Sequence, residues 1–417
     1  MRYWFLAVAA LVGVAVPSHA ETVTFAPGPD IQTVVQEAFI LSEPGTVFVF
    51  AEGTYSFTMQ LSIDLDEVTV RGAGMDKTIF DFSTQDMGSE GIFVTGDGVT
   101  LEDFAILDTP GDGFKCNDVK DITLRRVRAE WTGGPKESNG AYGLYPVSSE
   151  NVLVEECVAI GASDAGIYVG QSRNIIVRNS RAEYNVAGIE IENCYDADVY
   201  GNTATHNTGG VLVFDLPGLP QQGGRNVRAF NNTVVDNNTT NFAPKGNIVA
   251  QVPTGTGIMV MANRNVEIFG NTIENHQTTN IVVCSYYATG IPIQDAKYFP
   301  YPENIHIHGN TFGKAGHKPA GELGLFAALY AGLPLPDILW DGVVSEERLA
   351  AGEIPANGGL IITENEKREG EALTFVNMNG DAAGSLENMD ASLLKRDLAE
   401  HVGSLPALPP VKIPGVE

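Results

Sequence analysis

Written in rows, this chain aligns with itself. The segments ITLRRVRAE at 122, VLVEECVAI at 152, IIVRNSRAE at 175, ADVYGNTAT at 197, VRAFNNTVV at 227, VEIFGNTIE at 266 and IHIHGNTFG at 305 are versions of one pattern. Each of the first six is followed by a second short run that opens on a small residue: GLYPV at 143, GIYVG at 166, GIEIE at 188, GVLVF at 210, GIMVM at 257 and NIVVC at 280. The steps are 30, 23, 22, 30, 39 and 39 residues, a base period of 22–23 lengthened in particular repeats. Self-similarity on this scale demands a stack of small units, none of which buries its apolar face alone. Helical solenoids need longer repeats, and leucine-rich repeats set Leu and Asn in another frame. Short, turn-punctuated β runs at this spacing predict one coil of a right-handed parallel β-helix per repeat.

Successive side chains on a strand point to opposite faces. Ile167, Val169, Ile189 and Ile191 then turn inward, and Tyr168, Glu190 and Glu192 outward. Across coils, two outward columns follow. One runs Lys115, Tyr145, Tyr168, Glu190, Leu212, Met259, Val282; the other runs Asn117, Val147, Gly170, Glu192, Phe214, Met261, Cys284. At a turn, Asn202, Asn232, Asn271 and Asn310 share a frame with Cys157 and Ser180. That column predicts an internal amide ladder that satisfies turn backbone groups coil after coil.

The ends differ from the middle. Residues 1–20 read as a secretory signal peptide: Arg2, an apolar run from Leu6 to Val16, and a small-x-small site at Ser18-His19-Ala20. The apolar run is too short for a membrane span, and no later one approaches that length. A secreted or periplasmic location is expected. Residues 21–315 form the predicted β-helix, opened by an amphipathic capping helix behind Asp30. Residues 316–417 are expected to be an irregular C-terminal segment packed along it, ending in a Pro-rich tail. A formal charge of −27 argues against nucleic acid and anionic membranes as partners. Cys116, Cys157, Cys194 and Cys284 match no zinc or haem-attachment spacing, and in an oxidising compartment they allow three complete disulfide pairings.

The outward columns divide into a polar half, ending at Glu190 and Glu192, and an apolar half from Leu212 to Val282. So large an apolar stripe requires a cover, which is expected to be residues 321–340, or failing that a partner protein. Insertions at 131–141, 215–225, 237–256 and 285–304 are expected to wall the polar half into a groove. Tyr145, Tyr168, Glu190 and Glu192 are its catalytic candidates, with Lys115, Asn117 and Asp215 as substrate contacts. Glu190 and Glu192 have α-carbons about 6.6 Å apart along the strand. They suit Ca²⁺ ligation, paired-carboxylate glycoside hydrolysis, proton abstraction beside a sugar carboxylate, or nothing more than a solvated face. His306 and His308 both face outward and could hold copper or zinc, but no third ligand is evident and no metal site is assigned.

Taken together, the capping helix, the Pro-Gly turn before "GTY" and the coils over roughly 28–315 resemble the pectin-lyase-like superfamily, most of all secreted bacterial parallel β-helix repeat proteins. That resemblance implies a polysaccharide partner, and it makes a secreted c-type cytochrome a conceivable one. AYGLYPVSSEN also resembles the Tyr-Gly-x-Asp-Pro-His strand of mannuronan C5-epimerases. Tyr142, Gly143 and Pro146 match that motif, but Tyr145 and Val147 stand where the family has Asp and His. The resemblance therefore brings Tyr142 to the catalytic candidates without an acid–base pair. Two functions follow: action on, or binding of, an acidic polysaccharide by a lyase-, epimerase- or hydrolase-like groove, or a non-catalytic periplasmic scaffold or accessory protein, metal- or cytochrome-associated.

Overall fold

A computed structural model describes residues 21–380, 392 and 394–416, so the expected signal peptide lies outside the described residues. The chain coils into two parallel sheets, one of 21 strands and one of 11. The larger sheet holds two rows of strands, joined where Thr100–Leu107 and Lys120–Glu130 run through the bend without a break. The smaller sheet, called the second sheet below, collects the second run of each repeat, such as Tyr142–Val147, Ala165–Gly170, Ala187–Glu192 and Gly209–Phe214.

Each coil turns its corner on a left-handed residue. Glu156, Asn179, Gly201, Asn231, Gly270 and Gly309 all have φ between 52° and 66°. Glycine serves at 201, 270 and 309 because the turn needs that sign of φ. The next residue in each coil belongs to the amide ladder. Asn202 Nδ2 donates to Asn232 Oδ1 at 3.1 Å, Asn232 to Asn271 at 3.0 Å, and Asn271 to Asn310 at 2.9 Å. The ladder continues to Asn365, also at 2.9 Å. A second ladder at another corner escaped the sequence frame. Asn185, Asn207 and Asn237 are linked at 3.0 and 2.9 Å, and His276 Nε2 lies 3.2 Å from Asn237 Nδ2.

The core changes along the stack. Phe48, Phe50, Phe80, Phe104 and Phe114 fill the first coils, and Ile and Val fill the later ones. Helix Ile31–Leu41 lays Ile31, Val35 and Phe39 over the open first coil, with Phe39 edge-on to Phe48 at 4.8 Å. Asp30 precedes it without a side-chain cap.

Coil pairing runs on past residue 315. Ile338–Trp340 and Phe375–Asn377 extend the second sheet, and Ile361–Thr363 and Glu366–Lys367 extend the larger one. These strands are short and separated by long excursions, so they lack the regular spacing that marks the earlier coils. The tail then returns along the outside of the larger sheet. Ile413 packs on Leu153 and Ile176, and the Val411 amide donates to Asp198 at 3.0 Å. Among the described residues no helix is long and apolar enough to cross a membrane.

The four cysteines are free and buried. Cys116 and Cys194 point into the core, Cys157 occupies a ladder position, and Cys284 faces outward. None of the three disulfide pairings forms, because each thiol belongs to a different coil and most to different columns.

Candidate functional site

Both outward columns stack as the period-2 frame requires. Tyr145 pairs with Lys115, Tyr168 with Glu190, Glu190 with Leu212, Leu212 with Met259 and Met259 with Val282. Asn117, Val147, Gly170, Glu192, Phe214, Met261 and Cys284 follow the same register. The backbone sets the columns, and the side chains on them make two different surfaces.

In the polar half, three tyrosine rings form one cluster. Tyr142 lies 4.4 Å from Tyr145 and 4.5 Å from Tyr168, and Tyr145 meets Tyr168 edge-on at 5.1 Å. Lys115 stands at the mouth, half-buried, with Nζ 5.2 Å from the Tyr145 ring centre and 3.1 Å from Glu90 Oε1. Two phenols beneath stand beside carboxyls. Tyr168 donates to Glu192 Oε1 at 2.6 Å, with Gln171 Nε2 bridging both, and Asp164 lies close enough to Tyr142 for its charge to act on the phenol.

Burial dominates the electrostatics of these groups. It pushes Asp164 up to about 7, with the charge of Glu192 adding to the shift. Glu192 also rises to about 7, through burial opposed by the Tyr168 hydroxyl and reinforced by Asp215. Asp112 rises to about 6 through burial, partly offset by the Tyr142 backbone N–H and Lys115. Glu190 is 1% exposed, neither carboxyl oxygen has a hydrogen-bond partner, and burial with its carboxylate neighbours drives its pKa well above the ordinary range. Burial likewise raises the phenols of Tyr142 and Tyr168, and takes Tyr145 to about 12. Near neutral pH this face thus sets neutral phenols beside three carboxyls, Asp112, Asp164 and Glu192, that are close to their titration points.

The apolar half is roofed, and by a different segment from the expected one. Val249 and Val252, with Phe242, Ala243 and Ile248, pack over Leu212, Phe214 and Met261, joined by Tyr286 and Tyr298. From residues 321–340 only Leu323 joins this cluster. Phe326, Ala327, Leu335 and Leu339 form a cluster of their own with Val376, and Ile338–Trp340 is itself the next strand of the sheet. The 237–256 insertion won because it leaves the chain beside the stripe it covers. It also reaches the polar half, where Asn247 Nδ2 donates to Asp164 Oδ2 at 3.1 Å. A cavity of about 440 Å³ remains over Phe214, Met259, Met261, Val282 and Cys284.

The family model for the right-handed β-helix region matches residues 68–218. The A-module of the Azotobacter vinelandii mannuronan C-5 epimerase AlgE4 superposes with a TM-score of 0.53 at 16% identity, covering 81% of this chain and 90% of that one. This chain folds as a right-handed parallel β-helix. The A-module of AlgE6 from the same organism gives a TM-score of 0.47 at 15% identity, covering 84% of this chain and 94% of that one. An alginate lyase from Paenibacillus sp. str. FPU-7 gives 0.42 at 12%, covering 85% and 97%. No curated protein matches the chain in sequence.

Within this β-helix, then, Tyr142, Tyr145, Tyr168, Glu190, Glu192 and Lys115 are neighbours on one face. Asn117 lies half-buried at the start of the second column. Asp215 is fully buried rather than at the mouth; its Oδ1 accepts from the Gly224 amide at 2.7 Å and closes the 215–224 loop. Asp112 and Asp164, which sequence reasoning missed, sit in turns just ahead of strands, outside the alternation that revealed the columns. Only their place one repeat apart from similar turns could have marked them. Among the described residues, the one group of three close His, Cys, Asp or Glu side chains lies on the other sheet.

Proposed function

We propose that this is a secreted or periplasmic carbohydrate-active protein that lays an acidic polysaccharide across the polar half of the second sheet. The observation that carries this reading is the Tyr168–Glu192 hydrogen bond inside a cluster of three tyrosines, with Asp164 near Tyr142. Sugar rings stack on aromatic faces, and Tyr145 with Lys115 offers such a platform beside a cation. A phenol beside a carboxyl with a pKa near 7 can pass on a proton and be reprotonated by that carboxyl, without persisting as a free phenolate. Tyr142 then serves as proton donor to the sugar, with Asp164 replenishing it. Chemistry at the carbon beside a uronate carboxylate first removes a proton there, so it requires a base as well as such a donor, together with a group that neutralises that carboxylate; ionised Glu192, acting through the Tyr168 hydroxyl, is the base this face offers. Protonated Asp112 or Asp164 fills the second need, because a neutral acid donates to the uronate where a carboxylate would repel it. That a mannuronan C-5 epimerase module shares the fold is in keeping with a uronate polymer as ligand.

A non-catalytic scaffold is the second reading. It is favoured by the burial of Glu190 among side chains that Val249 and Val252 cover. Incubation with a panel of uronate polymers and neutral glycans, with and without Ca²⁺, separates the two. The expected result is turnover of a uronate polymer, reduced by about 100-fold or more in Tyr142→Phe and Asp164→Asn. Absence of both turnover and binding across the panel would leave the scaffold reading.

A further inference from the structure

His306 and His308 lie on strand Glu303–His308 of the larger sheet, far in sequence from the groove residues. Sequence alone leaves them without a third ligand, and the strand register supplies one. Glu267 pairs directly with His306 in the parallel ladder, 39 residues earlier in the chain. Residues so paired are about 4.8 Å apart, and His308 lies two positions on, on the same face. His308 Nε2 is 3.0 Å from Glu267 Oε1, and the two imidazole centres are 4.1 Å apart. One ligand atom from each of the three side chains falls within 4.8 Å of the others.

We infer that Glu267, His306 and His308 bind one divalent transition ion of borderline softness, Cu²⁺ or Zn²⁺. Two imidazole nitrogens and one carboxylate oxygen are the donors such ions take, while Ca²⁺ and Mg²⁺ take oxygen. A tetrahedral ion with bonds of about 2.1 Å holds its ligands about 3.4 Å apart, so side-chain rotations of about an ångström close the set. Three protein ligands leave a further position for water or another molecule.

The surroundings orient the ring of His308 and the carboxylate of Glu267. The His308 ring ends a parallel pile of rings, Tyr200 on Phe230, Phe230 on Phe269 and Phe269 on His308, with interplanar angles of 12°, 5° and 6°. That pile fixes the plane of the imidazole. Glu267 presents Oε1 to His308 while its Oε2 accepts from the Leu408 amide of the returning tail at 3.4 Å, an outer contact that orients the ligand. Arg228 pairs with Glu267 in the ladder and would compete for it, but both its Nε and its NH2 nitrogen are engaged by Asp198. His306 Nε2 meets Thr363 Oγ1 at 3.2 Å, a contact it can exchange for a metal.

The test is titration of the full chain, free of any affinity tag, with CuCl₂ and ZnCl₂ against a chromophoric chelator. One ion per chain is expected, with Cu²⁺ the tighter and an excess of Ca²⁺ or Mg²⁺ without effect. His306→Ala and Glu267→Gln are each expected to weaken binding at least tenfold. His308→Phe keeps the ring pile and removes the ligand, so it separates metal loss from misfolding; thermal melts of each variant verify the fold. Nitrogen hyperfine coupling in the Cu²⁺ electron paramagnetic resonance spectrum should collapse in the His306→Ala, His308→Phe double variant. Absence of a saturable site, or equal affinity in that double variant, overturns the assignment.

Discussion

The two halves of the second sheet share one backbone and one register, yet they solve opposite problems. From Leu212 to Val282 the outward columns are apolar, and the 237–256 and 286–298 segments bury them as a second core. From Lys115 to Glu192 the columns carry phenols, carboxyls and an ammonium, partly open at the mouth and closed below. A parallel β-helix therefore makes its inward columns into a scaffold and leaves the outward ones free to vary. What an outward column does depends on which insertion reaches it.

The largest expected effect that sharpens this contrast is on stability. Phe214→Ala should cost about 3–5 kcal/mol, since the ring is 1% exposed under the roof. Tyr145→Ala, on the same sheet but at the open mouth, should cost far less in a parallel denaturant series. Equal losses would mean that the two halves are packed alike.

A second difference is in pH. Asp112, Asp164, Glu190 and Glu192 all have pKa values raised on folding, so each binds a proton more readily folded than unfolded. Their contribution is fully present near pH 4 and is lost as pH rises, through about 6 for Asp112 and about 7 for Asp164 and Glu192, with Glu190 also raised well above the ordinary range. Glu190→Gln removes the group that has no partner. It should stabilise the protein by about 1–3 kcal/mol at pH 8 and leave it unchanged at pH 4. A variant less stable at pH 8 would break the comparison, because Glu190 would then hold a partner.

The smallest effect is expected from reductant. With four free, buried thiols, dithiothreitol should leave the melting temperature unchanged. A fall of several degrees would reveal a disulfide and a different packing of the coils around Cys116 and Cys194.

Much of this molecule is legible in its sequence because a solenoid repeats. The columns from Lys115 to Cys284 and the ladder from Asn202 to Asn310 follow from counting, since coil spacing and strand alternation are both periodic. The roof is not legible, because the 237–256 insertion carries no period and its partners are chosen by proximity and apolar area. The same holds for Asp164, which belongs to a turn, and for Glu267, whose relation to His306 exists only across strands. His276 takes the place of an asparagine in the second ladder, buried, with burial lowering its imidazole to about 4.

The central claim is that the titrating carboxyls of the polar half govern recognition of an acidic glycan. Calorimetric binding of a uronate oligosaccharide across pH 5 to 8, for the native chain and for Asp164→Asn, tests it most directly. Binding should tighten by about tenfold or more as the pH falls through 7, and the variant should flatten that dependence. Binding that is absent throughout, or equally strong at every pH in both proteins, would contradict it.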